Sequence, residues 1–240
     1  MEMSALITLP IKTLVQRVLN AAETGTADGA YDDITILPDG KGGTRQITYG
    51  KSQTTEQGNL AKLIRLYCDK GGAYGAKFAP YLPVIGVKPL VADSTFKDLL
   101  RRAAKDDPVM KLSQDEFFDE VYWKPAFEWF KTNKFTLPLS MLVIYDSYIH
   151  SGRILDILRK RFAEPVPAKT GNEKKWVEEY LNARHQWLAN HSTPILRKTI
   201  YRTKCYLGEV ARENWHLEIL PIQMNGIAVN RPRVEKTSIA

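Results

Sequence analysis

One stretch, Leu139–His150 (LSMLVIYDSYIH), constrains the fold more than any other. Its apolar residues fall on every side of a helix, so that helix must be surrounded by protein rather than laid on a surface. The run FTLPLSMLVIY that leads into it is too short and too interrupted to span a bilayer, which argues against membrane insertion. A single carboxylate, Asp146, rides in this helix with hardly any polar face to occupy. A buried charge requires a partner. In NEKKWVEEYLNARHQWL, Arg184 shares a stripe with Val177, Tyr180, Leu181 and Leu188, a core-facing position by spacing. The pattern therefore predicts an Asp146–Arg184 pair, with Arg197 from the next helix as a second cation.

Helical periodicity dominates elsewhere. Ile11, Leu14, Val15, Val18, Leu19 and Ala22 follow the spacing of an amphipathic helix that Gly25 can end. NLAKLIRLYCDK and STFKDLLRRAAK read as helices. SQDEFFDEVYWKPAFEWF reads as another, with Ser113 and Glu116 spaced as a capping box. PILRKTIYRTKCYL follows, with Thr193 as N-cap and Pro194 at the first helical position. DDITIL and RQITYG alternate polar and apolar around PDGKGG, which predicts a hairpin, while GGAYGAKFAPYLPVIGVKP reads as irregular. No internal repeat is visible. The expected architecture is mainly α (α+β): one domain over 1–240, two helical lobes around a groove, and a small sheet near the N-terminus.

Within that frame two carboxylates stand out. Val15, Leu19 and Glu23 lie at i, i+4 and i+8, so Glu23 continues a buried row and sits at the helix C-terminus. Desolvation and the helix dipole both favour its protonated form there, which is what a general acid needs. Asp39 sits at the hairpin tip. A frayed last turn explains Glu23 taken singly, and Asp-Gly turn chemistry explains Asp39. Together they resemble the acid and base that an inverting glycosidase places around an attacking water.

The stretches ETG…DGKGG…ITYG, then IYDSYIHSG, then YLNARHQWL followed by ILRKTIYR, resemble the family 46 glycoside hydrolases, the chitosanases, over roughly residues 10 to 220. The resemblance implies a lysozyme-like fold with a substrate cleft between two lobes. It also implies hydrolysis of β-1,4 bonds between amino sugars, with inversion. Glu23 then matches the general acid and Asp39 the general base, with Asp33 as the alternative base because GGTRQ lengthens the loop. Thr48 in ITYG is the expected holder of the water, and Thr44 is the match by counting from Asp39. Asp146, Arg184 and Arg197 match the charge network behind the acid. Gln57 falls where the family has an aspartate for the sugar's amine; with Glu56 beside it and Tyr49, it is an expected substrate contact.

Charge and composition narrow the alternatives. The 34 Lys and Arg against 27 Asp and Glu give +7, which favours anionic partners. The cations are scattered in short groups such as KKW and LRKRF, so nucleic acid is not expected. The substrate is expected to be a polysaccharide, either chitosan or a peptidoglycan-like glycan; an inactive polysaccharide-binding protein is the non-enzymatic alternative. Ser94-x-x-Lys97 and Lys169-Thr170-Gly171 mimic the outer elements of a serine β-lactamase, but no S-D-N lies between them. The four histidines do not share metal-ligand spacing, and no glycine-rich loop has phosphate-binding form, so neither metal nor cofactor is expected. Cys68 and Cys205 allow one bridge or two thiols. The N-terminal residues do not read as a secretory signal peptide. Action outside the cell or in its envelope then implies another export route, or the mature form of a secreted protein.

Overall fold

The computed structural model describes residues 7–51 and 53–232. Helix α1 (Leu9–Thr24) buries Leu14, Val15, Val18, Leu19, Ala21 and Ala22, the stripe its sequence displays. Gly25, at φ +70°, turns the chain out of it. Contacts divide the chain into two compact units, Glu23–Val121 and the remainder.

In the unit Glu23–Val121, β1 (Ile34–Leu37) pairs antiparallel with β2 (Gln46–Tyr49), with Ile34 opposite Tyr49 and Leu37 opposite Gln46. A two-residue strand, β3 (Thr54–Thr55), extends the sheet on the other side of β2. It was not expected, because two residues carry no periodicity. Helices α2 (Leu60–Asp69), α3 (Gly75–Phe78), α4 (Ser94–Asp106) and α5 (Pro108–Phe118) complete the unit. Ile47 and Tyr49 point from β2 into a core with Leu63, Ile64, Tyr67, Phe96, Leu100 and Met110.

The expected capping box is not formed. Helix α5 begins five residues before Ser113, at Pro108, and its N-cap is Asp107, which accepts from the Val109 amide. Ser113 donates instead to the Val109 carbonyl inside the helix, at 2.7 Å. An aspartate before a proline at the first helical position is the stronger start signal. Asp107 also accepts from Tyr67 Oη at 2.6 Å and the Ala73 amide at 2.7 Å, which ties α5 to the turn after α2.

The second unit holds α6 (Lys124–Thr132), α7 (Pro138–Ser151), α8 (Asp156–Arg159), α9 (Glu173–Ala189), α10 (Pro194–Arg197) and α11 (Tyr201–Ala211). A hairpin of β4 (Ile222–Met224) and β5 (Ile227–Val229) follows. Helix α7 is buried continuously from Pro138 to Ser147 and packs against α6, α9 and α11, as a helix apolar on all sides must. Its N-terminus is capped from outside. Glu173 of α9 accepts from the Leu137 amide at 2.8 Å and from Ser140 Oγ at 2.6 Å. The stretch read as one helix from Pro194 is broken by a 3₁₀ turn, Lys198–Ile200, and Thr193 makes no side-chain cap.

Candidate active site

Glu23 lies in the last turn of α1, partly exposed. The residue after it, Thr24, accepts the Ala30 amide on Oγ1 at 3.2 Å, so the loop leaving the helix folds back on the helix end. Asp39 lies exposed in the β1–β2 connection. That connection is shaped by its own backbone: the Gly40 amide donates to the Thr44 carbonyl, and the Gly43 amide to the Gly40 carbonyl, each at 2.9 Å. A Cβ on Gly40 would lie 2.6 Å from Thr44 Oγ1 and 2.7 Å from Gln57 Nε2, so only glycine fits beside Asp39.

Side chains then lock the loop. Gln57 accepts the Lys41 amide on Oε1 at 2.7 Å and donates from Nε2 to Thr44 Oγ1 at 3.0 Å. Thr44 in turn donates to the Lys41 carbonyl at 3.0 Å. Gln46 accepts the Gln57 amide on Oε1 at 2.9 Å and donates from Nε2 to Asp39 Oδ1 at 3.0 Å.

The glycosyl hydrolase family 46 profile matches residues 17–218. The chain belongs to glycosyl hydrolase family 46. Solved structures agree in fold. The native chitosanase from Bacillus subtilis MY002 aligns with TM-score 0.78 at 20% identity, covering 93% of this chain and 99% of that one. A glutamate-to-alanine variant of the same enzyme complexed with 6 GlcN aligns with TM-score 0.79, at the same identity and coverage. The family 46 chitosanase from Gynuella sunshinyii, complexed with chitotetraose, gives 0.78 at 21% identity, covering 97% and 100%. A comparison with curated protein sequences gives no match.

Against the family 46 pattern several expected contacts move. Tyr49 is fully buried and donates to the Leu100 carbonyl at 2.8 Å, so it is a core residue rather than a sugar contact. Glu56 is buried as well: its carboxylate accepts the Ile47 amide at 3.1 Å and the Leu90 amide at 2.8 Å, clamping β2 to the segment before α4. Gln57 is exposed, but its amide is spent on bracing the loop. Thr48 is 3% exposed, and its hydroxyl has no hydrogen-bond partner among the described residues. Thr44, by contrast, lies exposed five residues from Asp39. Asp33 accepts from Gln53 Nε2 at 3.0 Å on its carboxylate and from the Gly50 amide at 2.9 Å on its carbonyl, which engages it beside the sheet.

In the other unit Asp146 and Arg184 are both fully buried and pair at 2.6 Å. The second cation is not Arg197. That residue is exposed and donates to the carbonyls of His191 and Ser192. Arg202 takes its place, donating to Asp146 Oδ1 at 2.6 Å, with Tyr206 Oη at 2.9 Å on the same oxygen. A 3₁₀ turn, Lys198–Ile200, separates α10, which carries Arg197, from α11, which carries Arg202. Tyr201, beside Arg202, donates to the Ala22 carbonyl at 2.8 Å and so holds the last turn of α1 one residue before Glu23. Among the described residues no three His, Cys, Asp or Glu side chains gather as a metal site, and Cys68 and Cys205 are free thiols.

Burial alone would raise the Asp146 carboxyl; the Arg184 and Arg202 guanidinium groups and His150 outweigh it and hold it well below the ordinary carboxylate range. Burial, with Arg184 and Arg202 adding to it, pushes the His150 imidazole down to about 3. The unfolded chain therefore takes up a proton at His150 below about pH 6.5 that the folded chain refuses, and stability falls as pH falls. Between about pH 6.5 and 5 most carboxylates stay ionised. There, His150→Gln should flatten the dependence of the urea midpoint on pH, while wild type slopes downward toward acid.

Proposed function

We propose that this family 46 enzyme is an inverting, chitosanase-like hydrolase of β-1,4-linked amino-sugar polymers. The observation that carries the reading is the family match over residues 17–218, which contains both Glu23 on a helix end and Asp39 in a side-chain-locked loop. Glu23 gives its proton to the glycosidic oxygen as the C–O bond breaks. Asp39 takes a proton from the water whose oxygen attacks the anomeric carbon from the opposite face. Thr44 positions that water: its hydrogen goes to the Lys41 carbonyl and one lone pair to Gln57, leaving one lone pair for a water O–H. Asp146, Arg184 and Arg202 form the buried charge network of the other unit.

Relatives of this fold complexed with 6 GlcN and with chitotetraose favour a glucosamine polymer. One observation favours a second reading, a peptidoglycan hydrolase: the net charge of +7 attracts an anionic glycan and repels a cationic one. Either polymer places the enzyme's work outside the cytoplasm. Parallel digestion of chitosan and purified peptidoglycan, with products read by mass spectrometry, separates them. Glucosamine oligomers are expected. Disaccharide-peptides instead would select the second reading, and binding without any product would make this an inactive polysaccharide-binding protein.

A further inference from the structure

A general base must hold its carboxylate in one orientation, because a misplacement of about 1 Å can cost roughly 100-fold in rate. Asp39 is poorly equipped for this on its own. It is exposed, in a connection that contains Gly40, Gly42 and Gly43, and it has two side-chain torsions. The residue that fixes it comes from the neighbouring strand. Gln46 opens β2 opposite Leu37, and strand alternation turns it away from the core face of Ile47 and Tyr49. The residue is 4% exposed.

The amide's orientation is determined, not arbitrary. The Gln57 backbone N–H can only donate, so the group facing it must be Gln46 Oε1, and Nε2 is left to face Asp39. From this geometry we infer that Gln46 is a positioning residue for the base: it grips Asp39 Oδ1 and leaves Oδ2 to receive the proton of the attacking water. The inference rests on the assignment of Asp39 made above.

The test pairs two substitutions. Gln46→Met removes both the donor and the acceptor at similar volume. Gln46→Glu keeps an acceptor for the Gln57 amide but sets a second carboxyl against Asp39, and the two then share one proton, which takes Asp39 out of use as a base. Both are expected to lower kcat on a glucosamine hexamer by about 10- to 100-fold, with KM within about 3-fold of wild type; Gln46→Met, which also leaves the Gln57 amide without its acceptor, should lower Tm by about 2–4 °C. In an Asp39→Asn background, Gln46→Met should cost nothing further, because the two residues act as one unit. Wild-type kcat in both single variants, with Asp39→Asn inactive, would overturn the positioning role and leave the base intact. Equal losses from Gln46→Met with and without Asp39 would also overturn it, since a merely structural role is additive. Full activity of Asp39→Asn would overturn the base assignment, and the inference with it.

Discussion

Glu23→Gln is expected to lower kcat on glucosamine oligomers by about 100- to 10,000-fold, the range supplied by a positioned general acid. The substitution keeps the shape and hydrogen-bonding capacity of the side chain and removes only the transferable proton. KM should therefore change little, since what is lost is an interaction made in the transition state. Stability should stay close to wild type, because Glu23 is partly exposed in the last turn of α1 and carries none of the buried stripe of Leu14, Val15, Val18 and Leu19. A leaving group that departs without help, such as an activated aryl glycoside, should be far less sensitive. That contrast separates loss of the acid from a general disturbance of the site: a folding defect depresses both substrates, and a missing acid depresses mainly the natural one.

The largest effect on stability is expected at Asp146. Its carboxylate lies fully buried between Arg184 and Arg202, each at 2.6 Å, and accepts from Tyr206. Asp146→Ala leaves two guanidinium groups in the core without their counter-ion, and removing one partner of a buried ionic group costs about 3–5 kcal/mol. For a chain of this size that is a fall in Tm of roughly 6–20 °C. Arg197→Ala, exposed and bonded only to nearby carbonyls, should stay within about 0.5 kcal/mol. Equal losses at Asp146 and Arg197 would contradict the assignment of Arg202 as the second cation. The pH dependence carries the same sign as that of His150. A carboxyl held low in the folded state contributes stability above the unfolded pKa near 4, and that stability is lost as pH falls through the folded value.

The parts of this molecule that periodicity controls were legible in advance. The α1 stripe, the β1–β2 hairpin, the α2 stripe and the all-round apolar face of α7 each follow from spacing alone, and so does the pairing of Asp146 with Arg184. Both are charges on stripes that have no exposed side. What failed lacked a period or depended on tertiary context. Strand β3 is two residues long. Helix α5 starts at the Asp107–Pro108 step rather than at the Ser113–Glu116 spacing, because the cap that forms is Asp107 on the Val109 amide. Arg202 carries no signal of its burial, since the buried face of α11, Arg202, Thr203, Tyr206 and Glu209, is not an apolar stripe. Hairpin β4–β5 turns at Asn225–Gly226, both at positive φ, between strands of three residues that are too short to show alternation.

At the candidate site the surroundings of the two carboxylates were not legible. Glu23 at a helix end and Asp39 in a turn are positions that local chemistry defines. The burial of Tyr49, Glu56 and Thr48, by contrast, is set by what packs on β2, including the Leu90 amide on Glu56 and the Leu100 carbonyl on Tyr49. Gln46 had no sequence signal, since a glutamine opening a short strand is ordinary; its importance comes from the Gln57 amide that fixes its orientation.

The proposed mechanism requires an acid at Glu23 and a water-activating base at Asp39 acting on opposite faces of a glucosamine linkage. Proton NMR of the first minutes of hydrolysis of a β-1,4 glucosamine hexamer reads this directly, through the anomeric signal of the newly formed reducing end before mutarotation. The expected result is the α anomer, with the signal absent in Glu23→Gln over the same interval. Initial release of the β anomer would mean a retaining mechanism with a covalent intermediate, and would contradict the account.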